Sequence, residues 1–420
     1  MKNKLYILLC SAVLICAGCS NQESAIFSTS PAERLKSALK MDTDSLQNAE
    51  NGWEMEYFAT KQSPGYTLLV KFSKSGQAII SEKSELTNNS IITDSCMYEM
   101  IGDNGPVLTF NTYNKVLHAF SNPVSPNGYG LEGDYEFIIM KRTANQIILQ
   151  GKKRGTTILL NKIPKDITWE EYFAQIDDMN TLLFGGTTNS LNMVIGTDTL
   201  EAINGASHIF KISKQGSDPQ LDGVDYPFII TTTGIRFNSP YTINGNDAQT
   251  FTLSTDKQQL QCTNSSVKAY FIGTNPAKYY LSDSTTVWNF SLSKPMGSKF
   301  QTLYNKLVTN CQNKLSEKFS NLYFRNTASR GSYTLSFKSG KYIGYFDIQR
   351  INIGQNKVKF EYKGTSDVNG TYYLNNIEGF NELIQYIGKT YIVSADIAFN
   401  LNTIKFTAED DATISFYVFR

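Results

Sequence analysis

The chain has 420 residues and a formal net charge of +1, from 39 Lys and Arg against 38 Asp and Glu. That balance carries no basic excess, so nucleic acid is not expected as a partner. Aromatic residues make up 12%, nearly all Tyr and Phe. This favours pleated sheet over helix, and the length allows two or three domains.

The first segment reads as a leader. Lys2 and Lys4 precede an apolar run from Leu5 to Ile15, the pattern of a secretory signal. The run is too short to span a bilayer as a helix. Ala17-Gly18-Cys19 then reads as a lipoprotein cleavage box. Cys16 is not the acceptor, because bulky Ile15 would have to fit the pocket for the residue before the cut. Residues 1–18 are thus expected to be removed, with Cys19 lipidated and residues 19–29 a polar tether. Loss of the two lysines takes the net charge from +1 to about −1. Each buried acyl methylene adds about 0.8 kcal/mol to membrane affinity, so a multiply acylated Cys19 would be a lasting anchor. Cys96, Cys262 and Cys311 are far apart in sequence and odd in number, which favours free, core-packed thiols.

Three segments carry helix-start signals. Ser30 precedes Pro31 with Glu33 at the third helical position, a capping box. Thr168 and Glu171 form a second box, Gly185 is the stop, and Trp169, Tyr172, Phe173, Ile176 and Leu183 share a face. In the third, Ser298 is read as the cap with Gln301 closing the box. Phe300, Leu303, Leu307, Cys311, Leu315 and Phe319 line its apolar stripe. Behind each helix comes a similar phrase: "YTLLVKFSKSG" from Tyr66, "HIFKISKQG" from His208 and "YTLSFKSG" from Tyr333. Each is an alternating strand ending at a glycine suited to positive φ. Asn145 to Leu160 and Asn402 to Tyr417 both read as terminal hairpins. The expected fold is mainly β (α+β): antiparallel sheets or partial barrels, each packed by one helix. The expected modules are residues 30–165, 166–296 and 297–420. A three-fold internal repeat and chance similarity of short strands remain alternative accounts of the phrases. "NIEGFNELIQYIG" is an extra helical stretch in the last module.

The run from "ERLKSAL" through "NGWEMEYF", "GPVLTFNTYNKVLHAFSNP" and "GDYEFIIM" to "LQGKKRGTTILL" resembles an uncharacterised family of Bacteroidetes surface lipoproteins, domain of unknown function 4302. "YPFIITTTGIRFNSPYTING" resembles its middle part. The resemblance implies surface display at the outer membrane and nutrient capture beside an importer of the paired porin and lid-lipoprotein type. It implies no catalytic residue.

The residues themselves carry little chemistry. There are two histidines, His118 and His208, and no His-Glu-x-x-His or phosphate loop. No cofactor, metal or enzymatic activity is expected. His118 reads as a structural histidine. Glu132, Asp134 and Glu136 are expected to alternate along one strand face, and Glu54 and Glu56 to do the same beside Trp53. Such pairs serve glycoside hydrolysis at suitable separations, but a solvated strand face gives the same pattern. Trp53, Tyr113, Tyr129, Tyr279 and Trp288 are the candidate ligand-binding residues, since aromatic faces near Asn and loop residues suit a carbohydrate or peptide. The expected function is ligand capture. An accessory importer subunit without its own ligand is the alternative, and a carboxylate-dependent hydrolase a third.

Overall fold

The computed structural model describes residues 29–123, 130–186, 190–203, 205–243, 245–327 and 332–420. They form three closed antiparallel barrels of eight strands each. The expected sheets are therefore complete barrels, and closure leaves no free sheet edge.

The first barrel runs through β1 (Trp53–Phe58), β2 (Gly65–Phe72), β3 (Gln77–Glu82), β4 (Ile92–Gly102), β5 (Pro106–Phe110), β6 (Glu136–Arg142), β7 (Gln146–Gly151) and β8 (Thr157–Lys162). β1 pairs with β8 in the register Trp53↔Lys162 and Met55↔Leu160, which shuts the cylinder. Alternation decides which side chains go inside. Ile147 and Leu149 of β7, and Ile158 and Leu160 of β8, point into the core. Helix α1 (Pro31–Gln47) starts as the sequence predicts. The Glu33 backbone N–H donates to Ser30 Oγ at 3.2 Å, and the Ser30 N–H donates to the Glu33 carboxylate at 2.9 Å. The last turn of α1 supplies Leu46 to the core, and the Trp53 indole N–H donates to the Leu46 carbonyl at 2.8 Å.

The second barrel comprises β9 (Ser190–Ile195) to β16 (Ala269–Ile272), with β9 pairing β16. Helix α2 (Trp169–Phe184) has the expected Thr168–Glu171 box and ends at Gly185. Its apolar face serves two bodies. Tyr172 and Phe173 pack with Leu69 and Ile163 on the outside of the first barrel. Leu183 enters the core of the second. Short helices α3 (Pro219–Asp222) and α4 (Pro276–Ser282) follow.

The third barrel starts upstream of residue 297. Its first strand, β17 (Trp288–Phe290), pairs with β24 (Ser415–Phe419). Helix α5 (Ser298–Leu315) lies between β17 and the next strand, so it interrupts the barrel instead of preceding it. Ser298 is not its cap: Gly297 holds that position without a side-chain bond. The Thr413 carbonyl accepts the Lys299 and Phe300 N–H groups instead, which frees the site from needing a capping side chain. Phe300, Leu303, Leu307 and Cys311 are buried as expected. Helices α6 (Val368–Asn376) and α7 (Phe380–Ile387) complete the barrel, α7 on the predicted extra stretch.

The recurrent phrases are all strands. Their glycines Gly76, Gly216 and Gly340 all have positive φ. They occupy the second strand of the first barrel but the third strand of the others. The three-fold organisation thus holds at the level of whole barrels. Both predicted hairpins form, β7–β8 and β23 (Thr403–Ala408) with β24.

Two junctions tie the barrels together. At the first, Gly65 of β2 lies against Ile229 of β12 (Val224–Thr231); a Cβ on Gly65 would stand 2.4 Å from the Ile229 Cβ. At the second, the loop between β22 (Thr390–Ser394) and β23 leaves the third barrel and places Phe399 in the core of the second. Gly273 allows that approach, since a Cβ there would meet the Ala398 carbonyl oxygen at 1.7 Å.

Candidate functional site: a cleft between the first two barrels

The first junction opens on one side into a cleft of about 420 Å³. Its floor is apolar, from Ile176 of α2 and Ile229 and Ile230 of β12. Hydrogen-bonding groups converge on it from both barrels. On the first barrel, the Tyr66 hydroxyl donates to the Glu85 carboxylate at 3.0 Å. Glu85 opens a single 3-10 turn held by Ser84, whose Oγ accepts the Leu86 N–H at 3.0 Å. Lys83 crosses the cleft to form an ion pair with Asp177 of α2. Asn180, one turn further along α2, also lines the opening.

The opposite wall carries His208. Its backbone is left-handed, with φ of 55°, a conformation uncommon outside glycine. Its ring packs at 5.6 Å from that of Phe228. Burial lowers the imidazole pKa, while Glu85 across the cleft pulls it upward. A neutral imidazole can both donate and accept a hydrogen bond. Behind Tyr66, the Glu82 side chain is buried and its pKa is pushed up to about 7 by desolvation, against the lowering effect of the Ser84 hydroxyl bond. The arrangement suits a ligand that exchanges several hydrogen bonds while covering an apolar floor. Among the described residues no group of three or more His, Cys, Asp or Glu could hold a metal ion.

Next to the cleft, the same junction buries a charged cluster. Glu54 and Glu56 share one face of β1, as the alternation predicts, but that face is not solvated. The Asn161 amide donates to Glu54 at 3.1 Å and to Glu56 at 2.7 Å. Arg236 of β13 (Gly234–Ile243) reaches over from the second barrel to pair with Glu56. Desolvation first, and the Glu56 charge second, raise the Glu54 pKa to about 7. Both carboxylates are buried.

The other carboxylate series is also corrected. The strand begins at Glu136, while Glu132 lies before it in irregular chain with φ of 60°. Buried Asp134 accepts the backbone N–H groups of Lys153 and Arg154 at 3.2 and 2.7 Å, and Glu132 pairs with the Arg154 guanidinium at 2.8 Å. These groups hold the β7–β8 turn in place.

The candidate aromatics are not brought together. Trp53 and Trp288 are core residues, 1% and 0% exposed, of the first and third barrels. This corrects their reading as ligand contacts; each points inward with its strand's apolar residues. Tyr279 is half-buried, packs edge-on against Trp288 at 6.1 Å, and its hydroxyl takes a bond from Arg420. Tyr113 is exposed. Tyr129 and Cys19 lie outside the described residues. No motif marks the cleft residues Tyr66, Glu85, Asn180 and His208. The one available signal is weak: His208 is one of only two histidines in the chain.

The family model for a domain of unknown function (DUF4302) matches residues 23–255. This chain belongs to the DUF4302 family. The matched segment covers the whole first barrel and the second as far as β14 (Asn246–Leu253), so it contains every residue of the cleft. No curated protein matches. Among solved structures, the DNA polymerase III beta chain of Streptococcus pneumoniae aligns at 11% identity over 91% of this chain and 97% of that one, with a TM-score of 0.12. The beta sliding clamp of Caulobacter crescentus aligns at 10% identity over 91% and 96%, with the same TM-score of 0.12. Scores this low carry no argument.

Proposed function

We propose that this DUF4302 protein is a lipid-anchored capture protein of the bacterial outer membrane that holds a glycan or peptide in the cleft between its first two barrels. The observation that carries the reading is the convergence of Tyr66, Glu85, Asn180 and His208 from two barrels on one apolar-floored opening. The anchor follows from the leader and Cys19, as in the Bacteroidetes surface lipoproteins that the sequence resembles. Surface display beside an importer would make capture a step in nutrient uptake. In this reading recognition needs no catalysis, and the burial of the carboxylate pair on β1 and the backbone bonds taken by Asp134 agree with it.

The test is a binding screen of the full chain in detergent against glycans and peptides. A ligand whose affinity falls on Asn180→Ala and His208→Ala supports the cleft. Absence of binding across a broad panel, with co-purification of an importer from membranes, would replace capture by an accessory role. Mass spectrometry of the native protein checks the acylated Cys19.

A further inference from the structure

Charge is unevenly spread along the chain. Residues 166–283, with α2 and the second barrel, carry 6 Lys and Arg against 13 Asp and Glu. Residues 284–420, with the third barrel, carry 16 against 10. Among the described residues the two most exposed large hydrophobic side chains fall one in each: Leu221 and Val368, both 83% exposed. A lone exposed apolar side chain needs no explanation, but each of these two stands in a held and charged setting.

Leu221 belongs to a knob on the second barrel. Helix α3 packs on β10 (Asp198–Ile203) and β11 (Ile209–Lys214). The Asp218 carbonyl accepts the Leu221 and Asp222 N–H groups at 3.1 and 2.9 Å, and the Asp218 carboxylate accepts the Gln220 N–H at 2.9 Å. Val224, 58% exposed, extends the apolar surface. The surround is acidic. Between residues 198 and 225 stand Asp198, Glu201, Asp218, Asp222 and Asp225, against Lys211 and Lys214. Lys211 is taken by Asp225 at 2.6 Å, and exposed Lys214 offsets only part of the rest.

Val368 opens a shallow hollow of about 570 Å³ on the third barrel, lined also by Thr371, Tyr372 and Asn375. Tyr372 is 46% exposed. The Asp367 carboxylate fixes this end of α6 by accepting the Gly370 and Tyr345 N–H groups at 3.0 Å each. Basic groups border the hollow. The Asn369 amide donates to the Ile343 carbonyl at 2.9 Å, and Ile343 of β20 (Tyr342–Gly354) stands opposite Lys338 of β19 (Ser332–Ser339). Lys341 is in the turn between these strands, and its neighbour Gly340 donates its N–H to the Lys318 carbonyl at 2.9 Å. Lys314 donates to the Asn376 carbonyl, at the hollow itself, at 3.3 Å. Among the described residues the ion pairs of the third barrel are made by other lysines. Glu317, the carboxylate amid these four, accepts the Ser339 hydroxyl at 3.0 Å and the Tyr373 hydroxyl.

An apolar, acidic knob complements an apolar, basic hollow, and one chain carries both. We infer that copies of this chain associate through these unlike faces, the Leu221–Val224 knob of one seating against the Val368–Tyr372 hollow of the next. The apolar contact is a few side chains, below the roughly 800 Å² per partner of a stable interface. Charge therefore supplies much of the attraction, and salt weakens it. A dimer joined this way keeps one free face of each kind, so growth continues to a closed ring or an open chain. None of these residues lines the cleft between the first two barrels.

The test is sedimentation velocity of the full chain in detergent, with micelles in excess, at about 20 mM and about 500 mM salt. At low salt the protein should associate increasingly with concentration, and about tenfold more weakly at high salt. Two double variants separate the faces: Leu221→Ser with Asp222→Ser, and Val368→Ser with Lys341→Ser. Each alone should stay monomeric. Their equimolar mixture should form dimers and nothing larger, because each brings one working face. All four side chains are exposed, so the melting temperature of each variant should match the parent's. A parent that stays monomeric at low salt, association indifferent to salt or surviving in either variant alone, or a mixture that stays monomeric would overturn the proposal.

Discussion

Arg236 of the second barrel and Glu56 of the first form an ion pair whose side chains are 4% and 5% exposed. Neither charge can be released to water without parting the barrels. Removing one partner of such a pair strands the other, at a cost of about 3–5 kcal/mol. Arg236→Met should therefore lower the urea midpoint strongly. The triple change Glu54→Gln, Glu56→Gln, Arg236→Met should recover much of the loss, because no charge is then left buried. Equal instability of the single and triple variants would show that packing, and not charge, governs this junction.

The same cluster makes stability depend on pH. Glu54 is raised to about 7 from its ordinary 4.5. The folded state holds that proton more tightly than the unfolded chain. Its contribution is complete below the ordinary value and is lost as pH rises through about 7. The difference is on the order of 3 kcal/mol. Glu82, also raised to about 7, acts in the same direction. The unfolding midpoint should fall between about pH 5 and about pH 8. Glu54→Gln should flatten that fall, and adding Glu82→Gln should flatten it further. An unchanged slope in the double variant would refute the assignment.

Phe399 is fully buried in a barrel to which its own strands do not belong. Phe399→Ala should cost about 3–5 kcal/mol. The loss should appear as faster hydrogen exchange in the second barrel, with the third barrel's strands still protected. Gly273→Ala should produce the same pattern by pushing the loop out. Uniform loss of protection across both barrels would contradict a local plug.

The three thiols at Cys96, Cys262 and Cys311 are free. Burial pushes the Cys96 and Cys311 thiols up to about 11, where little reactive thiolate exists near neutral pH. Cys262 is only partly covered. Under native conditions an alkylating reagent, mapped by peptide mass spectrometry, should modify Cys262 well before the other two.

The sequence made local structure legible and left assembly hidden. The capping boxes at Ser30 and Thr168 are contained in four consecutive residues each, so they could be read directly. Ser298 has the look of a cap in sequence, but the partner of that helix start, the Thr413 carbonyl, is more than a hundred residues away. Alternation placed Glu54 and Glu56 on one face correctly. It could not say that Arg236 and Tyr172 would cover that face. Trp53 and Trp288 were legible after all: Trp53 is in phase with Met55 and Tyr57, and Trp288 with Phe290, all core residues. The cleft was out of reach because residues near 65, 85, 180 and 208 meet only once two cylinders are docked.

The borrowed phenylalanine ties the family segment to the rest of the chain. The matched family segment stops at residue 255, before β15 (Gln259–Cys262) and β16 close the second cylinder and long before its stopper arrives at position 399. A fragment cut at that boundary would expose two raw strand margins and an unfilled hollow, a recipe for clumping in the test tube. The sensible unit for expression is the whole row of barrels.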